Sequence, residues 1–181
     1  MGEIVGAAVV CHQPGIMMPE EIRQLMGGGT DTSMVDGLAV MKKAIQDAGA
    51  DTLIIFDTHW FTTTEHIVAG APHYKGVYTS DELPTIITDH AYDYPGAPEL
   101  AQSIADIGAE RGVSTLNCTN TNIAQHYPTI NLVHYLQDNE KVLSTGVCQS
   151  AEAHNFIAFG EVLGEAIKQT DTRAVLLGAG G

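Results

Sequence analysis

Short apolar runs alternate with longer amphipathic segments along most of this 181-residue chain. The apolar runs predict strands at residues 4–11, 52–57, 67–69, 113–117, 141–147 and 173–177. Helices are predicted at residues 31–49, 84–90, 98–111, 128–136 and 152–169. The rest of residues 79–98 is interrupted by prolines and is interpreted as loop. Strands that alternate with helices predict an α/β fold, with a mainly parallel central sheet and helices on both faces.

Three of these elements carry more specific expectations. The unbroken apolar run at residues 4–11 is typical of a strand covered on both faces of the sheet. Residues 173–177 have the same character and predict a central strand, which continues into the glycine-rich residues 178–181. The inner face of the helix at residues 152–169 is expected to be formed by Phe156, Phe159, Leu163 and Ile167. A central strand so close to the last residue leaves open whether the chain is complete.

Composition narrows the classes of function. The chain has 8 Lys and Arg residues against 22 Asp and Glu residues, which gives a net charge of −14. Because binding to phosphates or to anionic lipids requires a basic surface, neither nucleic acid nor a membrane is an expected partner. The first three residues include an acid and no basic residue, so no signal peptide is expected. Three cysteines without metal-finger spacing favour reduced thiols, and we expect a cytoplasmic protein.

Histidines follow two of the predicted strands. His12 comes after residues 4–11 and His59 after residues 52–57, with one predicted crossover helix between them. Because a right-handed crossover brings the carboxyl ends of parallel strands to one edge of the sheet, the two imidazoles can share a metal ion there. The alternative is that each is an ordinary loop or helix-cap residue. Asp57 is either a carboxylate that orients the His59 ring or an acid at the end of a strand.

A third histidine, His126, precedes the helix predicted at residues 128–136. It is either an acid or base in a pocket or a helix cap, and the residues alone favour the cap. Residues 178–181 can approach the same edge of the sheet, since glycine lets a backbone pass close to a ligand.

Three segments resemble the class III extradiol ring-cleavage dioxygenases, the superfamily of protocatechuate 4,5-dioxygenase. They are Val10-Cys11-His12-Gln13-Pro14, Phe56-Asp57-Thr58-His59-Trp60 and Tyr78-Thr79-Ser80-Asp81-Glu82-Leu83-Pro84. The second and third segments are similar to the branch of 3,4-dihydroxyphenylacetate 2,3-dioxygenases. The resemblance implies an Fe(II) ion held by two histidines and one glutamate, and His12 and His59 match the two histidines.

The same resemblance places His126 where the family has an active-site histidine beside the substrate, although its neighbours here are Gln125 and Tyr127. The main acid-base histidine and the glutamate ligand of the family lie beyond the position that matches Gly181. We therefore expect residues 1–181 to be a single catalytic-type domain that lacks its C-terminal part.

The function expected from the resemblance is cleavage of a catechol ring with O2 by an Fe(II)-dependent extradiol dioxygenase, in the catabolism of aromatic compounds. The expected partners are a small catechol, O2 and further copies of the chain in a homo-oligomer. Two alternatives remain open. The chain can be a non-oxygenase member of the same fold, either a metal-dependent hydrolase or a binding protein, or it can be an inactive fragment.

Overall fold

A six-stranded sheet forms the centre of the molecule in the computed structural model, which describes residues 1–180. The strands, in chain order and including a separate hairpin, are β1 (Glu3–Cys11), β2 (Thr52–Thr62), β3 (His66–Ala69), β4 (His73–Tyr78), β5 (His90–Pro95), β6 (Thr115–Cys118), β7 (Lys141–Cys148) and β8 (Arg173–Gly180). The sheet order is β1-β8-β2-β7-β3-β6, and β4 pairs with β5. All neighbouring pairs of the sheet are parallel except β3 and β7.

Helices cover both faces of this sheet. They are α1 (Glu20–Met26), α2 (Ser33–Asp47), α3 (Pro98–Arg111), α4 (Tyr127–Leu136) and α5 (Ala153–Gln169). The apolar residues of α2 and α4 share one hydrophobic cluster with the β4–β5 hairpin, whereas those of α3 and α5 form a second cluster. The predicted α/β fold with a mainly parallel sheet is therefore confirmed. None of the helices within residues 1–180 is long and apolar enough to span a membrane.

The helix predicted at residues 84–90 is wrong. Residues 84–87 form turns instead, and strand β5 begins at His90. From His90 the side chains alternate with period two, as in a strand, and this alternation buries Tyr94 against Tyr74 of β4, with ring centroids 5.4 Å apart. The β4–β5 hairpin that results was not predicted.

Strand β1 is less covered than its sequence predicts. It lies at the edge of the sheet, where Val9 is 88% exposed and Ile4 is 49% exposed, so the expectation of a strand covered on both faces is wrong. The interior position next to it is taken by β8, which confirms the central strand predicted near residues 173–177. On α5, Phe159, Leu163 and Ile167 are buried as expected, but Phe156 lies at the rim of the helix packing and is 39% exposed.

Candidate functional site

His12 and His59 lie side by side at the carboxyl edge of the sheet. Their ring centroids are 5.0 Å apart, and the ring planes are nearly perpendicular, at 85°. His12 directly follows β1, while His59 lies inside β2, which continues to Thr62 instead of ending at residue 57. Strands β1 and β2 are not neighbours in the sheet, because β8 lies between them. The structure nevertheless brings the two predicted ligands together.

The position of His59 depends on an irregularity in β2. The register of β2 with β7 shifts between Asp57 and Phe61, so the residues between them leave the regular ladder. Asp57, which is 1% exposed, holds this bulge with Oδ1, which accepts hydrogen bonds from the amides of His59 (2.9 Å) and Trp60 (3.2 Å). Its Oδ2 accepts from the amide of Thr129 (3.0 Å) and from the hydroxyl of Thr129 (2.5 Å).

Asp57 therefore joins the bulge of β2 to the first turn of α4. It has no hydrogen bond to the His59 ring, so it positions the histidine through the backbone rather than through the imidazole. A carboxylate at the N-terminal end of α4 also lies favourably in the field of the helix dipole.

The His59 ring is held from two sides by residues that sequence reasoning did not assign. Its Nδ1 lies 3.1 Å from Oε1 of Glu82, and its Nε2 lies 2.9 Å from the hydroxyl of Tyr127. A carboxylate next to Nδ1 favours the tautomer that carries the proton there, which leaves Nε2 as an acceptor or a metal ligand. Glu82 belongs to the segment Tyr78–Pro84, which carries part of the family resemblance. That resemblance was the one sequence feature that could have marked Glu82 as a site residue.

His12 has a buried imidazole. The residue is 5% exposed, and its Nδ1 has no hydrogen-bond partner among residues 1–180. Burial lowers the pKa of His12, and the nearby His59 lowers it further, so the ring is neutral near pH 7. A buried, neutral and unpartnered imidazole is suited to bind a metal ion. Residues 1–180 contain no group of three His, Cys, Asp or Glu side chains arranged to hold a metal ion.

His126 borders the same region. It occupies the residue before α4, as expected for a cap, but its side chain makes no capping hydrogen bond. The ring stacks on Trp60, with centroids 6.5 Å apart and an interplanar angle of 18°. Burial lowers the pKa of His126, although the carboxylate of Asp57 opposes this shift. That the ring opens into a cavity beside His12 and His59 stays a prediction.

The end of β8 lies between the strands that carry the two histidines. Ala179 pairs with Asp57 on one side and with Val10 on the other, and Gly180 pairs with Cys11. Residues 178–180 thus continue the strand instead of forming a turn, and Gly181 lies outside the described residues.

The two histidines lie at the carboxyl edge of a mainly parallel sheet, which is where open α/β proteins bind their ligands. Residues 6–181 match the family model described as the catalytic LigB subunit of aromatic ring-opening dioxygenase. The chain is also 31% identical over 185 residues to 3,4-dihydroxyphenylacetate 2,3-dioxygenase of Escherichia coli. That alignment covers 99% of this chain and 66% of the relative, so the chain spans about two thirds of its length. The chain belongs to the family of aromatic ring-opening dioxygenase catalytic subunits, which confirms the resemblance seen in its sequence.

Proposed function

We propose that the protein is an Fe(II)-dependent extradiol dioxygenase that cleaves the ring of a catechol with O2. The observation that carries this proposal is the pair of imidazoles, His12 and His59, with ring centroids 5.0 Å apart in a chain of this family. Two histidines and one carboxylate are the ligands typical of non-haem Fe(II) oxygenases, and they leave three coordination positions free for a chelating catechol and O2.

The residues around the pair fit a metal ion. His12 is neutral and lacks a partner for Nδ1, and His59 offers Nε2 because Glu82 engages its Nδ1. When a metal ion binds His59, the hydroxyl of Tyr127 has to release Nε2 and becomes free to bond to a ligand in the site. We assign the third ligand to a carboxylate outside the described residues, as the family resemblance implies.

His126 is the proposed acid-base residue among residues 1–180. Its lowered pKa keeps the imidazole neutral near pH 7, so the ring can accept a proton from a catechol hydroxyl. Stacking on Trp60 fixes the plane of the ring and so limits the directions in which it can receive that proton. This role needs no direct bond between His126 and the metal.

The proposed substrate is a monocyclic catechol with an acidic side chain. The relative from Escherichia coli is named for 3,4-dihydroxyphenylacetate, which is such a compound. We also infer a cytoplasmic location and a homo-oligomeric state, both of which remain predictions.

The test is anaerobic reconstitution of the full-length protein with Fe(II), followed by a panel of catechols with and without an acidic side chain in air. We expect O2 uptake and a yellow ring-fission product, with the fastest turnover for the acidic catechols. Catechol binding without O2 uptake, or hydrolysis of an ester or amide without O2, would instead support a non-oxygenase member of the fold.

A further inference from the structure

A cavity of about 430 Å³ lies on the opposite face of the sheet from α4. It is found where β7 ends and β3 begins, next to the start of α5 and the end of α3. None of the residues of the histidine site lines it. Its lining residues are Thr64, His66, Arg111, Gly112, Val113, Ser114, Cys148, Ser150, Ala151, Asn155 and Ala158.

The residues that line this cavity carry a positive charge and no negative charge, unlike the chain as a whole. The chain contains 22 Asp and Glu residues and only 8 Lys and Arg residues, yet no carboxylate lines the cavity and one guanidinium does. The other polar groups are three hydroxyls, an amide and an imidazole, and each of them can donate a hydrogen bond. The cavity therefore offers donors to a ligand in a protein whose surface is otherwise strongly acidic.

Among the residues that line this cavity, His66 has a buried ring nitrogen without a hydrogen-bond partner in the described part of the chain. It is 4% exposed, and its Nδ1 has no hydrogen-bond partner among residues 1–180. The ring lies flat on Phe159, with centroids 4.4 Å apart and an interplanar angle of 4°, and the edge of Phe156 closes another side at 5.3 Å. These two aromatic contacts hold the plane of the imidazole.

Arg111 adds a positive charge. Its Nη2 pairs with the carboxylate of Glu165 at the surface, where the Arg111 side chain is 43% exposed. A guanidinium carries five N–H donors in a planar fork, so the pair with Glu165 leaves other donors available to the cavity.

We propose that this cavity binds a small oxyanion, a carboxylate or phosphate group, through His66 and Arg111. The imidazole provides a buried Nδ1 with no partner among residues 1–180, which donates a hydrogen bond in the tautomer that carries the proton there, and the guanidinium provides the charge. The site is separate from the histidine pair and does not depend on the proposed dioxygenase function.

The experiment is calorimetric titration of the full-length protein, without iron, with inorganic phosphate and, separately, with acetate at constant ionic strength. We expect saturable binding of at least one anion, and a loss of affinity of tenfold or more in both His66→Phe and Arg111→Gln. Phenylalanine preserves the stacking on Phe159 and is therefore expected to fold. The matched control is Lys168→Gln, which removes one positive charge from the other end of α5 and should bind as the wild type does.

A second measurement requires no variant. The ring nitrogen resonances of His66 in the wild-type protein should shift as phosphate or acetate is added, and those of the exposed His73, which pairs with Asp93 on the β4–β5 hairpin, should not. The identity of the effective anion distinguishes a phosphate site from a carboxylate site. Absence of saturable binding for both anions, or affinity unchanged in both cavity variants, would overturn the proposal.

Discussion

The imidazole rings of His12 and His59 lie 5.0 Å apart, centroid to centroid, although strand β8 separates the strands that carry them. The bulge in β2 gives His59 a position outside the regular ladder, and Asp57 holds that bulge from within the core. The distance between the two rings is thus a property of the tertiary structure and not of two adjacent strand ends.

Removing either histidine should abolish tight metal binding. Loss of a residue that hydrogen-bonds to a metal ligand typically weakens metal affinity by about 10–100-fold. We expect His12→Ala and His59→Ala, which remove a ligand itself, each to weaken Fe(II) affinity by more than that. Anaerobic calorimetry of the full-length protein measures this directly. His154→Ala is the control, because that side chain is 74% exposed and lies outside the site. Fe(II) affinity that is equal in all three variants would exclude the histidine pair as the metal site.

Glu82 should influence the metal through His59. The Glu82→Gln variant loses the negative charge beside Nδ1 of His59 and should reduce Fe(II) affinity by about 10-fold. This is the lower end of the range for residues that hydrogen-bond to a metal ligand, because the Glu82 side chain is 60% exposed. The matched control is Asp81→Asn, which removes the same charge one residue earlier, at an exposed position. Equal effects of the two variants would show that only the net charge matters.

The elements that were predicted well from the sequence are marked by particular residues at their own ends. Helix α3 begins at Pro98 and ends before Gly112, whose φ of 69° is the left-handed conformation that glycine adopts readily. In contrast, Asp57 binds Thr129 from 72 residues away, and Glu82 reaches His59 across 23 residues. No periodicity along the chain encodes such pairs. The two histidines and the neighbouring Asp57 were therefore predictable as candidates, whereas the contacts with Thr129 and Glu82 were not.

The hydrogen bonds of Asp57 should make a large contribution to stability. Asp57→Asn keeps the size of the side chain but replaces one of two acceptor oxygens with a donor, so it cannot serve both the β2 bulge and Thr129. We expect a loss of about 1.5–3 kcal/mol in the free energy of unfolding, measured by urea denaturation. Thr129→Ser retains both hydrogen bonds to Asp57 and should cost much less. Equal losses for the two variants would contradict this role.

Helix α1 should become less stable in acid. It buries no residue, but the Arg23 guanidinium forms two hydrogen bonds to Asp31, at 2.8 and 2.6 Å. The hydrogen bond from Arg23 lowers the pKa of Asp31 below its usual value near 3.8. A lowered folded-state pKa means that this stabilisation is complete above about pH 5 and disappears as the pH falls through the lowered value.

Amide hydrogen exchange of α1 measures this effect. Wild-type protein should protect the α1 amides more than Asp31→Asn above pH 5, and the difference should shrink as the pH falls through the lowered pKa of Asp31 and its carboxylate becomes protonated. A difference that is independent of pH would indicate that Asp31 acts without its charge.

His126 should affect turnover without affecting the metal. It stacks on Trp60 rather than on either proposed ligand, so His126→Gln should leave Fe(II) affinity within about twofold of the wild type. If the ring transfers a proton of the catechol, kcat should fall by about 10²–10⁴-fold, the range typical of general acid-base residues. Because burial lowers the pKa of His126, the wild-type enzyme should lose activity as the pH falls through that lowered pKa, and the variant should lack this decline. Steady-state O2 uptake across pH 5–8 measures both effects, with His154→Gln as the control. If kcat and the pH profile are both unchanged in His126→Gln, His126 takes no part in the reaction and has only its structural position before α4.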